Sequence, residues 1–315
     1  MNNLQLKTQR KKNISRDKIV QISLLVASLL SVLFVGMIVF EMVVKGATPF
    51  LPSYSVPGHP YPVSLTTFLT GSRWVMDRLN SYYLFGAGFL IVNTIYTVVI
   101  ALLISFPLAL FSSLYIVKVA SKWLKRIMET TIEMLAAIPS IIYGVFGSTQ
   151  LVLLVRNFGD WLGISTAGGL SILATSLTLA VMITPTLASV MMVAFKAIDP
   201  SIENASVALG ASKIQTLIKV NIPAARSGIF AGVVLGIGRA LGEATAVAMV
   251  SGNANFGPSL NLFSITSTLA SKMLVGIKEA SGVTYDVRFS LGLVLIILLF
   301  STNLILSVVK KKVRN

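Results

Sequence analysis

Six stretches of this sequence are long and apolar enough to cross a lipid bilayer, and nothing else in it limits the possible folds so strongly. A membrane-spanning helix needs about 20 mainly apolar residues. Residues 19–44, 89–117, 134–155, 167–195, 227–251 and 289–309 each meet that requirement. Of the 315 residues, 55% are apolar and 12% charged, whereas a soluble domain carries about 25% charged residues. A soluble enzyme and a disordered tail are both excluded. Basic residues precede the first stretch, as in a signal peptide. Its apolar run, however, far exceeds the roughly 7–15 residues of a signal h-region, so it reads as a retained span. The expected organisation is a basic tail (1–18), a first span (19–44), an outer segment (45–88), a membrane core (89–309) and a short tail (310–315).

The net charge of +15 is read from its placement. Eighteen of the 26 Lys and Arg residues fall in the two tails and in the loops after spans 2 and 4, and seven fall on the opposite side. The last, Arg239, lies within span 5. Basic residues collect on the cytoplasmic side, so both termini are expected there, and the charge is a topology signal rather than a nucleic-acid footprint. The absence of cysteine excludes thiolate metal sites and thiol catalysis. His59, the single histidine, has no second member for a metal or acid–base pair.

The segments between spans carry structure of their own. Residues 68–79, after a proline-rich stretch that includes Pro57 and Pro60, read as a short surface helix. Residues 118–133 read as an amphipathic interfacial helix, with basic side chains beside Trp123, Leu124, Ile127 and Met128. Pro107, Pro139 and Pro185 fall within spans and are expected to kink them. In the 196–226 loop, Asp199-Pro200 fits an N-cap followed by proline at N1, opening a helix through Leu209. Gly210 ends that helix. Ser212 and Gln215 form a capping-box pattern for a second helix over 213–220, which Pro223 stops. Two short helices inside a loop suit a docking element; an ordinary ordered loop fits equally well.

The motifs in this loop resemble a known family. Asn204-Ala205-Ser206, three residues, Gly210, nine residues and Val220-Asn221-Ile222-Pro223 are similar to the EAA motif of ABC importer permeases: Glu-Ala-Ala, three residues, Gly, nine residues, Ile, one residue, Leu-Pro. Asn204 stands where the family has Glu, and Glu203 lies one residue early. Further segments, FLTGSRW (68–74), IPSIIYGVFG (138–147), ALGASK (208–213), PAAR (223–226) and GIGRALGEATAVAMVSGN (236–253), resemble the PstC-type phosphate permeases within that family. The partner permease type tends to carry Glu-Thr-Ala-Pro where this chain has Glu243-Ala-Thr-Ala.

The resemblance implies an all-α integral membrane subunit of six helices with the type I ABC importer (MetI-like) fold, in a bacterial or archaeal plasma membrane. It implies a second homologous permease, an ATPase dimer seated on the loop through Asn204, Ala205, Gly210 and Pro223, an extracytoplasmic phosphate-binding protein, and inorganic phosphate as substrate. No cofactor is expected in this chain. It has no G-x-x-x-x-G-K-[ST] loop, so ATP and Mg belong to the partner ATPase. Bringing in a divalent anion against an inside-negative potential costs about 4.6 kcal/mol per 100 mV, which demands that energy source.

Arg239 and Glu243 are the in-span charges of interest. At i and i+4 they are expected on one helix face, near the close-packing positions Gly228, Gly232 and Gly236, which are also spaced by four. One reading makes Arg239 an oxyanion contact on the path, since its planar fork donates two hydrogen bonds and never deprotonates. Glu243 then orients Arg239 or accepts a proton from phosphate. The other reading is a structural ion pair clamping two helices. The resemblance favours the first. Transport of another oxyanion (molybdate, sulfate, phosphonate) stays open. An ion-coupled secondary transporter fits less well, and an intramembrane enzyme lacks a His/Asp/Cys constellation.

Overall fold

The computed structural model describes residues 3–55, 61–77 and 82–314. His59, Pro57, Pro60, Arg78 and Leu79 lie outside the described residues, as do the side chains of the basic tail residues Lys7, Arg10, Lys11, Lys12, Arg16, Lys310, Lys311, Lys312 and Arg314.

Among the described residues, five helices are long and apolar enough to span a membrane, and the helical segments 213–224 and 226–241 meet the same test only when taken together. The first, α1 (Asn3–Ala47), has no buried residue in its most apolar stretch. It touches the rest only near its far end. There Gly46 lies against the Phe289 carbonyl, Ser290 donates to the Gly46 carbonyl at 2.8 Å, and Met42 reaches Gly292. This span packs at the periphery.

The segment after α1 departs from expectation. A short helix, α2 (Leu65–Thr70), is followed by a two-stranded antiparallel hairpin, β1 (Trp74–Asp77) and β2 (Tyr82–Phe85), with Trp74 opposite Phe85. The expected helix over 68–79 therefore stops at Thr70. Gly71 ends it, and the aromatic and β-branched residues Trp74 and Val75 suit a pleated strand better. Phe68, Trp74, Phe85 and Phe89 bury their rings together with Leu269, Val287 and Leu291 and cap this end of the molecule. Beside them the Tyr54 hydroxyl donates to Asp286 at 2.8 Å. Burial and that carboxylate hold the phenol well above its ordinary pKa.

The centre is the pairing of α3 (Gly88–Lys118) with α7 (Ile172–Lys196). In lipid, helices associate through close packing rather than exclusion of water, and small residues allow that approach. Ala101, Ser105, Ala109 and Ser113 form such a stripe along α3, every one fully buried. Pro107 and Pro185 sit inside these two helices. The α7 helix begins at Ile172 rather than at 167. Gly168 and Gly169 turn the chain, and the Ser171 hydroxyl caps it, accepting from Ala174 N–H at 3.1 Å.

The third span is also displaced. The interfacial helix α4 (Lys122–Ala137) runs further than expected and has no buried residue. The span itself is α5 (Ser140–Phe146), a π turn over Gly147–Leu151, and α6 (Val152–Trp161). Pro139 falls between α4 and α5, so it marks the corner between interface and membrane instead of kinking a span; Ile138, held extended before it, cannot continue the helix.

The loop after α7 folds largely as its capping signals require. In α8 (Pro200–Ala208) the Asp199 carboxylate accepts from Ser201 N–H at 2.8 Å, a bond that lowers its pKa. Gly210 follows with φ +85°, a conformation that side chains with a Cβ resist. The helix α9 (Lys213–Thr216) opens with the full Ser212–Gln215 capping box. Pro223 does not stop it, however. The chain widens into a π turn over Leu217–Asn221 and continues through α10 (Ile222–Ala224), and the break comes at Ala225 with a 66° bend. The wider turn accommodates a proline that has no N–H to donate.

Span 5 is broken. The helix α11 (Arg226–Leu241) ends at Gly242, and α12 (Thr245–Val250) begins three residues later. Sixteen helical residues reach about 24 Å, short of a membrane core of about 30 Å, and α12 continues beyond the break. A short helix, α13 (Leu269–Leu274), and the long α14 (Val283–Arg314) finish the fold.

Candidate functional site

The two candidate path residues stand at the break in span 5, and each has a different partner. Arg239 sits on the last turn of α11 and donates through Nη1 to the Thr186 hydroxyl on α7. Thr186 follows Pro185, whose missing N–H loosens the α7 ladder at that level. Glu243 lies beyond the end of α11, and its Oε1 accepts from Ala246 N–H at 3.0 Å. It thus satisfies one of the free N–H groups that open α12. The expectation that the pair shares a helix face is corrected, and no ion pair joins them among the described residues. The sequence did not single out Thr186; a hydroxyl next to an in-span proline was the available signal.

The three glycines do meet a neighbouring helix. A Cβ on Gly228 would fall 2.2 Å from Ala194 Cβ, and one on Gly236 would fall 2.2 Å from Leu187 Cδ1. At Gly232 the nearest atoms, 3.5 Å away, also belong to α7. The glycine face therefore lets α11 lie against α7 and carries Arg239 to Thr186. A further face of α11, away from α7, α3 and α14, has no partner among the described residues. Ala231, Leu235 and Gly242 are exposed, and a Cβ on Gly238 would meet no neighbouring element within 4 Å. Arg239 is half-buried between the two faces.

At the loop end, Glu203 forms an ion pair with Lys118 at the tip of α3, and the Ser206 and Thr216 hydroxyls bond at 3.0 Å across the α8–α9 corner. Lys196 and Glu129 bridge α7 to α4 at 3.1 Å. Asn204 is exposed and lines a cavity of about 410 Å³ with Lys118, Lys213, Thr216 and the fully buried Asn221. Ala205 and Pro223 are exposed. The loop also presents large apolar side chains: Leu209 is 90% exposed, and Ile202, Val207 and Ile214 are exposed beside it. Glu203 and Asn221 stand in the motif read from the sequence, but the ion pair of Glu203 with Lys118 and the full burial of Asn221 were not anticipated.

The sequence can now be set beside known proteins. The family described as binding-protein-dependent transport system inner membrane component matches residues 105–315. The chain belongs to this family. The permease is 34% identical over 270 residues to the phosphate transport system permease protein PstC of Pasteurella multocida, covering 80% of this chain and 84% of that one. To the PstC of Haemophilus influenzae it is 34% identical over 246 residues, 74% and 76% of the two chains. To the probable ABC transporter permease YqgH of Bacillus subtilis it is 34% identical over 252 residues, 79% and 78%.

Among solved structures, a bacterial ABC transporter involved in the import of the acidic polysaccharide alginate matches with a TM-score of 0.62 at 16% identity, covering 98% of the permease and 100% of that chain. An inward-facing MetNI methionine ABC transporter matches with 0.52 at 18% identity, 72% and 94%. These likenesses show the type I importer fold. The permease is a multi-pass inner-membrane subunit of an ABC importer and not an enzyme, and ATP is hydrolysed by a partner subunit.

Proposed function

We propose that the permease forms, with a second homologous permease, the path by which an ATP-driven importer brings inorganic phosphate into the cell. One observation carries the reading. A fixed guanidinium stands at the end of a membrane helix, beside a helix face that none of the described residues covers. An arginine within a membrane is costly and by default marks a substrate path, and a guanidinium fork suits two oxygens of a tetrahedral oxyanion. The PstC relatives, phosphate permeases by name, support phosphate as that oxyanion.

The uncovered face of α11, from Ala231 through Leu235 to Gly242, is where the second permease and the path meet. Arg239 receives a passing phosphate there, with Thr186 holding the guanidinium in place. Glu243 caps α12, which keeps its carboxylate on a helix N-terminus and off the anion. One arginine makes a weak, transient site, so an extracytoplasmic binding protein performs the tight selection. The termini and the α8–α9 loop face the cytoplasm, as their basic residues require. There an ATPase dimer covers Leu209, Val207 and Ile214. ATP-driven closure of the dimer pushes on α8 and α9, and the Glu203–Lys118 pair passes the motion to α3.

The experiment is labelled-phosphate uptake at low external phosphate, with sulfate, molybdate and phosphonate as competitors and with ATP depleted in parallel. Phosphate uptake that needs ATP and resists the competitors supports the reading. Uptake that follows a competitor instead assigns another oxyanion.

A further inference from the structure

A polar cavity lies at the end of the molecule opposite the α8–α9 loop. The segment around Ser72 and Arg73 runs beside the segment around Asn255 and Phe256, pinned by Trp74 N–H to the Asn255 carbonyl at 2.8 Å and Gly257 N–H to the Ser72 carbonyl at 3.0 Å. Between them opens a cavity of about 520 Å³ lined by Ser72, Arg73 and Asn255.

The hydrogen-bonding character of this cavity follows from what lies behind it. Lys272 is buried, and its ammonium donates to the Ala254 carbonyl at 3.1 Å and to Asn255 Oδ1. An ammonium has no acceptor, so the amide oxygen must be the atom it meets, which turns the Asn255 NH₂ group away from it. The carbonyls of Ser72, Arg73 and Asn255 are already taken by Gly257, Gly86 and Trp74 N–H groups. The Arg73 guanidinium is exposed and has no hydrogen-bond or ion-pair partner among the described residues. Hydroxyl, guanidinium and amide donors therefore face the opening, with a buried cation behind them and the carbonyls of Ser72, Arg73 and Asn255 engaged.

We propose that Ser72, Arg73 and Asn255 form an outer oxyanion site on the permease, polarised by Lys272 through the Asn255 amide, that holds phosphate between its release outside and its passage to Arg239. The donor geometry alone points to a tetrahedral oxyanion; its identity as phosphate rests on the function proposed above. Because the cavity is open, the anion keeps part of its hydration, and residence is brief, as a relay requires. Asn255→Asp replaces the outward donor with a repelling oxygen and leaves an acceptor for Lys272.

The test uses the permease assembled with its partner subunits in lipid nanodiscs, without binding protein. Inorganic phosphate is the probe, and an arginine-selective glyoxal reagent reports on Arg73 by peptide mass mapping. Phosphate is expected to slow Arg73 modification about threefold more than chloride at equal ionic strength, as charge-assisted hydrogen bonds to the guanidinium require, and N255D is expected to abolish that protection. Protection by chloride alone to the same degree, or none by phosphate, overturns the site. Protection that appears only when binding protein is added also overturns it, assigning the cavity to a docking surface. In cells, Arg73→Gln is expected to slow phosphate uptake roughly tenfold, the loss of one hydrogen bond to a charged group; unchanged uptake contradicts the relay. If the native complex moves no phosphate yet Arg73 is protected, the phosphate-importer reading falls and the oxyanion site stands. Normal uptake without protection does the reverse.

Discussion

The Arg239 guanidinium donates to the hydroxyl of Thr186, tying the last turn of α11 to the proline-bearing middle of α7. This contact fixes the direction of a basic side chain that stands inside a membrane passage beside the uncovered face of α11. Thr186→Val removes the acceptor at nearly constant volume. Hydrogen bonds to charged groups contribute about 1.5–3 kcal/mol, so uptake is expected to fall roughly tenfold or more, with normal membrane levels. Thr186→Ser restores the hydroxyl and should recover most of the rate. Loss in the serine variant with normal uptake in the valine variant would show that the methyl group matters and not the hydrogen bond.

The glycine contacts between α11 and α7 separate into rigid and yielding ones. Gly228 faces Ala194 Cβ, which has no rotamer to change, whereas Gly236 faces the tip of Leu187, which can swing aside. Gly232 has about the space that a methyl group needs. Gly228→Ala is therefore expected to destabilise by about 1–3 kcal/mol, Gly236→Ala by less, and Gly232→Ala very little. Thermal midpoints of the purified complex give the order; a Gly232 variant as damaging as the Gly228 one would contradict this packing.

Gly210 turns the chain between α8 and α9 with φ +85°. Proline fixes φ near −65°, so Gly210→Pro must swing α9 away from its corner with α8 and separate Ser206 from Thr216. Transport is expected to be abolished while the protein stays in the membrane and substrate no longer stimulates ATP hydrolysis. Surviving transport with intact stimulation would remove this loop from the coupling role.

Burial and the neighbouring Arg288 charge push the Lys272 pKa down to about 8. The unfolded chain keeps that proton up to its ordinary value near 10.5. Between the two values the unfolded state binds more protons, so this group makes folding more favourable as pH rises through that window. The thermal midpoint of the native protein, compared with Lys272→Met, should gain between about pH 8 and 9.5. A difference between the two that does not change with pH would mean that Lys272 is not desolvated as the structure places it.

The sequence carried the spans and the loop more clearly than the breaks. Apolar runs of about 20 residues have few alternatives to a helix across lipid, and the Asp199 and Ser212–Gln215 caps are local chemistry that the fold keeps. The interruption at Gly242–Ala244 was hidden because the apolar pattern runs straight across it with no proline. At the break Ala246 N–H donates to the Glu243 carboxylate rather than to a helical carbonyl, and Arg239 reaches across to Thr186; the second contact is tertiary. The hairpin over 74–85 was missed because its strands are defined by pairing with each other and by burial of Trp74 and Phe85. The outer cavity was equally illegible: Arg73, Asn255 and Lys272 are about 200 residues apart at their widest in the chain and meet only in the folded end, where Lys272 turns the Asn255 amide outward.

The most direct test of the central claim is labelled-phosphate uptake at low external phosphate by cells carrying the native chain or Arg239→Gln at matched membrane levels. Glutamine keeps a donor for Thr186 but removes the charge and the fork. The account predicts that native cells take up phosphate and the variant does not, while the variant still assembles with its partners. Equal uptake by both would make Arg239 a clamp between α11 and α7 and remove it from the translocation path.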